Sequence, residues 1–312
     1  MTQEPHIVVA CATQRGLACL RMLAGLLPHA RFSVFSFREE PWEPPFLDEI
    51  SAFCRMREML FRETKDLLTT DAAAAWATSP PDLLIAVNWR YLMQRAVLSL
   101  PRKGAFLFHD SLLPAYRGFS PTVWAMINGE SQTGATLLEM ADEVDAGGIV
   151  DQAAVPIGDD DAIADVTQRV TEAYLCLLER NLPNLLAGST RPIPQNHSLA
   201  TFCCKRLPED NRINWSLPAV QIHNLIRATS RPYPGAYASI AGRRMIIWSA
   251  KLMKGTRKYV GIVPGRVIEI TKGEGVTVLT GDGVLRLCEV QVESEQITPA
   301  WLVLNRLAYT LN

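Results

Sequence analysis

Two windows of the chain hold side chains that could carry a reaction. The first is Phe108-His109-Asp-Ser-Leu-Leu-Pro-Ala-Tyr-Arg117-Gly118-Phe-Ser-Pro121, where an imidazole leaves an apolar run and enters an irregular loop closed by proline and glycine. The second is Met140-Ala-Asp-Glu-Val-Asp145-Ala-Gly-Gly148, an acidic loop punctuated by glycines. Imidazoles and carboxylates are the commonest groups for moving a proton to or from a reacting centre. His109 and Asp145 lie 36 positions apart, on what read as adjacent loops at one sheet edge, so they can meet in space. Taken alone, His109 is equally well a hydrogen-bonded loop histidine, and the acidic loop is more often a solvated turn. No metal site is expected. The cysteines at 11, 19, 54, 176, 203, 204 and 288 are odd in number and lack CxxC spacing, so they read as small buried hydrophobes in a reducing cytoplasm rather than as zinc ligands or disulfides.

The elements that must position these loops follow from periodicity. Residues 6–13 form a near-continuous apolar run with β-branched members, followed by Gly16 and a helical pattern over 17–27. Residues 31–37 alternate with period two, 48–60 read as an amphipathic helix, 82–87 as a buried strand, 91–100 as a helix and 104–108 as another buried strand. Strands alternating with helices predict a doubly wound, mostly parallel sheet with helices on both faces, an α/β fold of Rossmann type. Ligands of such sheets sit at the carboxyl ends of the strands. Further on, helices are expected at 122–128 and 163–186, with a strand at 134–139 between them. After a polar, proline-bearing stretch and a helix at 219–229, the texture becomes strand-rich, with strands expected at 244–248, 265–270, 276–279 and 284–290. That pattern predicts a smaller C-terminal β-rich, barrel-like domain. The expected division is 1–190, a linker at 191–204, and 205–312.

The 312 residues carry 31 bases and 32 acids, a formal net charge of −1, which gives no support to a protein that lives by gripping phosphate backbones. With 48% hydrophobic and 20% charged residues, the chain has the composition of a folded domain protein with a core. The N-terminal residues read as no secretory signal, and no apolar run approaches a membrane span, so a cytoplasmic protein is expected.

The run HDSLLPAYRGFSPTVWAMINGESQTGATLLEMADEVDAGGIV resembles the formyltransferase family that uses 10-formyltetrahydrofolate. The pattern of that family is N-x-H-x-S-L-L-P-x-Y-R-G, then N-G-x-x-x-T-G, then a loop ending D-x-G. Three later segments are similar to the C-terminal domain of the family: Lys205-Arg-Leu-Pro-Glu-Asp-Asn-Arg-Ile-Asn-Trp215, Ile222-His-Asn-Leu-Ile-Arg227 and Arg231-Pro-Tyr-Pro-Gly-Ala236. The likeness runs over roughly residues 80 to 290, with its motifs in order. It implies a one-carbon transferase whose catalytic residues are His109 and Asp145. His109 would donate to the oxygen that gains charge or shuttle the proton, and Asp145 would hold the imidazole or accept the proton of the attacking nitrogen. It also implies a folate slot formed by Asn88, Trp89, Arg90, Tyr91 and Leu92 with Asp142 and Val144. Ser111 and Arg117 would shape the substrate-facing loop, with Arg117 pairing either a phosphate or a nearby carboxylate.

One departure stands out. The asparagine that the family places two positions before the histidine is Leu107 here. Losing one donor to a developing oxyanion typically costs about 10²–10³ in rate. Asn88 is a candidate substitute donor, or else a simple strand-end cap. As acceptor, the resemblance offers the amine of a nucleotide-linked amino sugar or the methionyl group of a charged tRNA. The tRNA enzymes carry a basic insert after the second strand, whereas residues 38–49 hold five acids and one base, which argues against tRNA. The bases at 251, 254, 257 and 258 could still form a small patch. A non-catalytic folate-binding relative is the alternative that Leu107 motivates. The C-terminal domain would serve as a substrate clamp or as the surface of a homodimer.

Overall fold

The computed structural model describes residues 4–67, 71–253 and 257–312, so part of the basic stretch at 251–258 lies outside the described residues. The chain divides into two compact units. The first comprises 1–121, 132–156 and 167–204, and the second 122–131, 157–166 and 205–312.

The first unit begins with strand β1 (His6–Cys11), whose six residues are all buried, followed by helix α1 (Thr13–Leu26). A continuous apolar strand of this kind belongs to a sheet covered on both faces. The chain continues through β2 (Arg31–Ser36), α2 (Leu47–Met56), β3 (Leu60–Glu63), α3 (Asp71–Thr78), β4 (Leu83–Val87), α4 (Arg95–Leu98) and β5 (Ala105–His109). Helix α2 opens with Asp48 and Glu49, which suit the positive end of the helix dipole, and it buries Leu47, Ile50, Phe53 and Cys54 on one face. A short strand β6 (Arg117–Gly118) and helix α5 (Pro121–Ile127), which belongs to the second unit from residue 122, precede β7 (Gln132–Glu139), β8 (Ile149–Pro156) and the long helix α6 (Ile163–Ala187), which belongs to the first unit from residue 167. Among the described residues, the sheet has the order β3-β2-β1-β4-β5-β7-β8. The first five strands are parallel, and β7 and β8 are antiparallel additions at one edge. Strand order reverses between β1 and β4, which opens a crevice at their carboxyl ends.

The second unit contains helix α7 (Ala219–Thr229), the very span that its sequence pattern predicts. Strands β10 (Ala236–Ile240), β11 (Arg243–Leu252), β12 (Val267–Thr271), β13 (Gly275–Leu279) and β14 (Val284–Val292) form an antiparallel sheet in the order β10-β11-β14-β13-β12. One side of it buries Met245, Ile247, Val276, Val278, Leu285 and Leu287 with Ile222 and Ile226 of α7.

The sequence expectation of a helix at 91–100 is corrected to the short α4. Tyr91 is drawn instead into an aromatic cluster with Phe37 and Trp89, at centroid distances of 4.9 and 5.9 Å. Cys176 and Cys204 are exposed, against the expectation of buried cysteines, while Cys11, Cys19 and Cys54 are buried. No group of three or more histidines, cysteines or acids among the described residues could hold a metal, and no helix among them is long and apolar enough to cross a membrane.

Candidate active site

The alternation of side chains along β5 sorts its residues by face. Leu107 and His109 point one way, and Phe108 and the following Asp110 the other. On the second face, Phe108 stacks on Tyr174 of α6 at 4.8 Å. Asp110 is paired there with Arg15 of α1 and accepts a hydrogen bond from the Tyr174 hydroxyl. Arg15 also lies over the Tyr174 ring, 5.1 Å from its centroid. Burial pushes the Asp110 carboxyl upward, but the charge and hydrogen bond of Arg15, the Tyr174 hydroxyl and the neighbouring imidazole outweigh it and hold the acid below its ordinary value. Burial and the Asp110 charge push the Tyr174 hydroxyl well above its own. Sequence reasoning missed this group. Its only local signal was that Asp110 directly follows His109 and Arg15 lies in the first turn of α1, just after the first strand.

On the other face, His109 is nearly enclosed. Its Nε2 lies 2.8 Å from the Tyr116 carbonyl and its Nδ1 lies 3.5 Å from Asp145 Oδ2. A carbonyl only accepts, so Nε2 carries a proton, and the proton that can come and go is the one between Nδ1 and the carboxylate. The two side chains are 7% and 11% exposed. Asp145 Oδ2 also accepts from the Gly118 amide at 2.8 Å.

The loop carrying His109 is held on several sides. Ser111 Oγ donates to the Ala115 carbonyl at 2.6 Å. Thr136 Oγ1 on β7 donates to the Ser111 carbonyl at 2.6 Å, and Gln152 on β8 donates to Leu113 O at 3.0 Å. Strand β9 (Phe202–Cys203) pairs in parallel with β6 and seats against Gly118. Gly118 has φ +100°, and a Cβ there would lie 2.5 Å from the Cys203 carbonyl, so the position requires glycine. Arg117 is 1% exposed. Its Nη2 donates to Gln195 Oε1 at 2.7 Å and lies 3.2 Å from His197 Nδ1, and its Nη1 lies 3.8 Å from Glu143. Of the two partners the sequence offered it, the structure places Arg117 beside a carboxylate, with Gln195 as its nearer partner.

The remaining expected residues gather around the carboxyl ends of β1 and β4. Asn88, with φ +53°, follows β4, and its Oδ1 accepts from Thr13 Oγ1 at 3.3 Å. Val87 pairs with Phe108, so Asn88 and His109 emerge side by side from neighbouring parallel strands. Trp89 packs against Phe37 and Tyr91, and its Nε1 is buried without a hydrogen-bond acceptor. Arg90 pairs with Glu43 at 2.7 Å and lies over the Phe37 ring. Leu92 and Val144 are exposed, and Asp142 pairs with Arg95 across the surface. Leu107 is half-buried and packs with Trp89 and Met140 against the core. The geometry therefore brings His109, Asp145 and Asn88 to one edge, while Ser111 and Arg117 face inward and support the loops. A cavity of about 410 Å³ opens away from this edge, at the amino ends of β1–β3, around His6, Arg31, Arg57 and Trp76. Burial there, with the Arg31 charge, lowers the His6 imidazole to about 4.

A doubly wound sheet with a buried imidazole–carboxylate pair beside its strand-order reversal defines an α/β enzyme of the ligand-in-crevice class. Two family profiles narrow this. The one described as "Formyl transferase" matches residues 35–181, and "Formyl transferase, C-terminal domain" matches 206–308. The chain belongs to the formyl transferase family. Among solved structures, HypX from Aquifex aeolicus in complex with tetrahydrofolic acid is 20% identical, with a TM-score of 0.61, covering 97% of this chain and 47% of that one. The present chain thus spans about half the length of the HypX chains it matches. The N-formyltransferase from Helicobacter canadensis in complex with folinic acid and dTDP-3-aminofucose has a TM-score of 0.67 at 16% identity, covering 92% and 99% of the two chains. Methionyl-tRNA formyltransferase from Clostridium thermocellum has a TM-score of 0.59 at 16% identity, covering 81% and 95%. At such identities these likenesses establish the fold.

Proposed function

We propose that the chain is an N-formyltransferase that moves a formyl group from 10-formyltetrahydrofolate to the primary amine of a small molecule, a nucleotide-linked amino sugar in particular. The observation that carries this reading is the His109–Asp145 pair, 3.5 Å apart and almost dry beside the crevice, on two loops of a formyl transferase fold. Residues 1–190 would form the catalytic and folate-binding domain, and 205–312 the C-terminal domain.

The donor supplies an activated formyl carbon, and the residues of the chain manage protons and charge around it. Attack by the amine nitrogen forms its bond to that carbon while the bond from carbon to the folate nitrogen breaks. The amine must lose one proton and the leaving nitrogen must gain one. Asp145 and His109 Nδ1 hold a single exchangeable site between them, because Nε2 is fixed on the Tyr116 carbonyl. That site takes the proton from the amine and returns it to the leaving nitrogen. Leu107 offers nothing to the formyl oxygen. Asn88 supports the oxygen instead: with Oδ1 held by Thr13, its amide group is left to donate at the level of His109.

The folate slot is formed by Asn88, Trp89, Arg90, Tyr91 and Leu92 with Asp142 and Val144. The buried, acceptor-free Nε1 of Trp89 suits a flat heterocycle that brings its own acceptor, since an unmade buried hydrogen bond costs about 1–3 kcal/mol. Ser111 and Arg117 act by shaping the substrate-facing loop. An amino-sugar acceptor is favoured over tRNA by the segment at 38–49, whose five acids face a single base. His109→Ala and Asp145→Asn are each expected to abolish formyl transfer while leaving the affinity for folate within about twofold. Turnover near that of the unmodified protein in either variant would sink the assignment.

A further inference from the structure

Asp145 is held in the left-handed region, with φ +53°. A non-glycine residue there is uncommon and needs surrounding structure to keep it. Part of that structure is one side chain from the proline-bearing stretch before β9. Gln195 is buried, and its Nε2 donates to the Asp145 carbonyl and to the Gly147 carbonyl, each at 2.7 Å. Its Oε1 accepts from Arg117 Nη2 at 2.7 Å. The residue after that arginine, Gly118, donates its amide to the Asp145 carboxylate. A closed circuit results, running from the Asp145 backbone through Gln195 and Arg117 to Gly118 and back to the Asp145 side chain.

We infer that Gln195 is a positioning residue, whose amide fixes the backbone of Asp145 so that its carboxylate meets His109 Nδ1. The inference rests on the assignment of Asp145 to proton transfer. Only a primary amide serves all three contacts, because two partners are carbonyls that need donors and the third is a guanidinium that needs an acceptor. A carboxylate would satisfy Arg117 and repel both carbonyls. A thioether would leave both carbonyls without this donor and the guanidinium without its nearest acceptor.

The test uses Gln195→Met and Gln195→Glu in the full chain, alone and combined with Asp145→Asn. Misplacing a reacting group by about 1 Å costs about 10²-fold. Each single variant should therefore lower kcat by about that factor, with KM for the folate donor within about twofold. Asp145→Asn already abolishes transfer, so the double variants read folate affinity alone: Gln195→Met should leave the folate Kd there within about twofold, because its effect runs through placement of the carboxylate. A folate Kd clearly weakened in that background, or a rise in KM with kcat unchanged in the single variants, would overturn the inference. Hydrogen exchange at the Gly118 amide reads the same circuit without turnover. It should accelerate at least about tenfold in Gln195→Met, while exchange in β1 and β4 stays unchanged. An unchanged Gly118 rate would also overturn the positioning role. Accelerated Gly118 exchange in a protein without formyl transfer would instead mean that the proposed function had failed and the structural circuit had not.

Discussion

Asp110→Asn gives the sharpest stability test of how the site is supported. The substitution keeps the shape and leaves an acceptor for the Tyr174 hydroxyl, but it removes the charge that compensates buried Arg15. Both groups are largely out of water, with side chains 7% and 16% exposed, so solvent screens the pair little. Breaking such a pair by removing one partner costs about 3–5 kcal/mol. Because each 1.4 kcal/mol is about tenfold, amide exchange across β4 and β5 should accelerate by about 10² to about 4 × 10³. The sign of the pH dependence follows from the direction of the shift. The folded carboxyl is held below its ordinary value of 3.8, so its stabilisation is complete above that pH and is lost as pH falls through the lower folded value. The gap between the two proteins should therefore be constant from about pH 5 to 7 and close as the solution becomes more acidic than about pH 4. Tyr174→Phe, which removes one hydrogen bond to a charged group, should cost about 1.5–3 kcal/mol. An Asp110→Asn penalty below about 1 kcal/mol, or one that grows with acid, would refute the reasoning.

Three further outcomes are expected. Asn88→Ala should lower kcat by about 10²-fold or more, as loss of an oxyanion donor does, whereas Leu107→Asn should change formyl transfer little because Asn88 already serves the oxygen. A large gain in Leu107→Asn would contradict that role of Asn88. Gly118→Ala forces a Cβ against the Cys203 carbonyl at φ +100° and should destabilise the first unit by about 1–3 kcal/mol in denaturant unfolding. Trp89→Phe removes the buried Nε1 and should weaken folate binding about five- to tenfold by titration calorimetry, the worth of about one hydrogen bond.

The parts legible in the sequence were those with a local period. Helix α7 is framed by Pro218 before it and Arg231-Pro232 after it, with Ile222 and Ile226 one turn apart on its buried face. The parallel strands β1, β4 and β5 are short apolar runs that fit a sheet covered on both sides. Strands β3 and β8 escaped notice because neither alternates cleanly: β3 is mostly exposed and β8 is largely half-buried along its length. Both lie at the edges of the sheet, where one flank needs no apolar partner. At the site, His109 and Asp145 stood out because glycines and prolines mark their loops. The Arg15–Asp110–Tyr174 group did not, since its members come from three distant elements and no spacing rule links them. Gln195 was hidden for a different reason. It lies in a polar stretch that reads as a linker, and only the fold shows that its amide turns inward.

The most direct measurement of the central claim is mass spectrometry of products formed from 10-formyltetrahydrofolate and a panel of amines. The panel should include nucleotide-linked amino sugars, free amino acids and charged methionyl-tRNA. The account predicts a gain of one formyl group on a nucleotide-linked amino sugar, absent with His109→Ala. Formyl gain on methionyl-tRNA alone would contradict the acceptor assignment, and no gain on any amine by a protein that still binds folate would contradict the catalytic one.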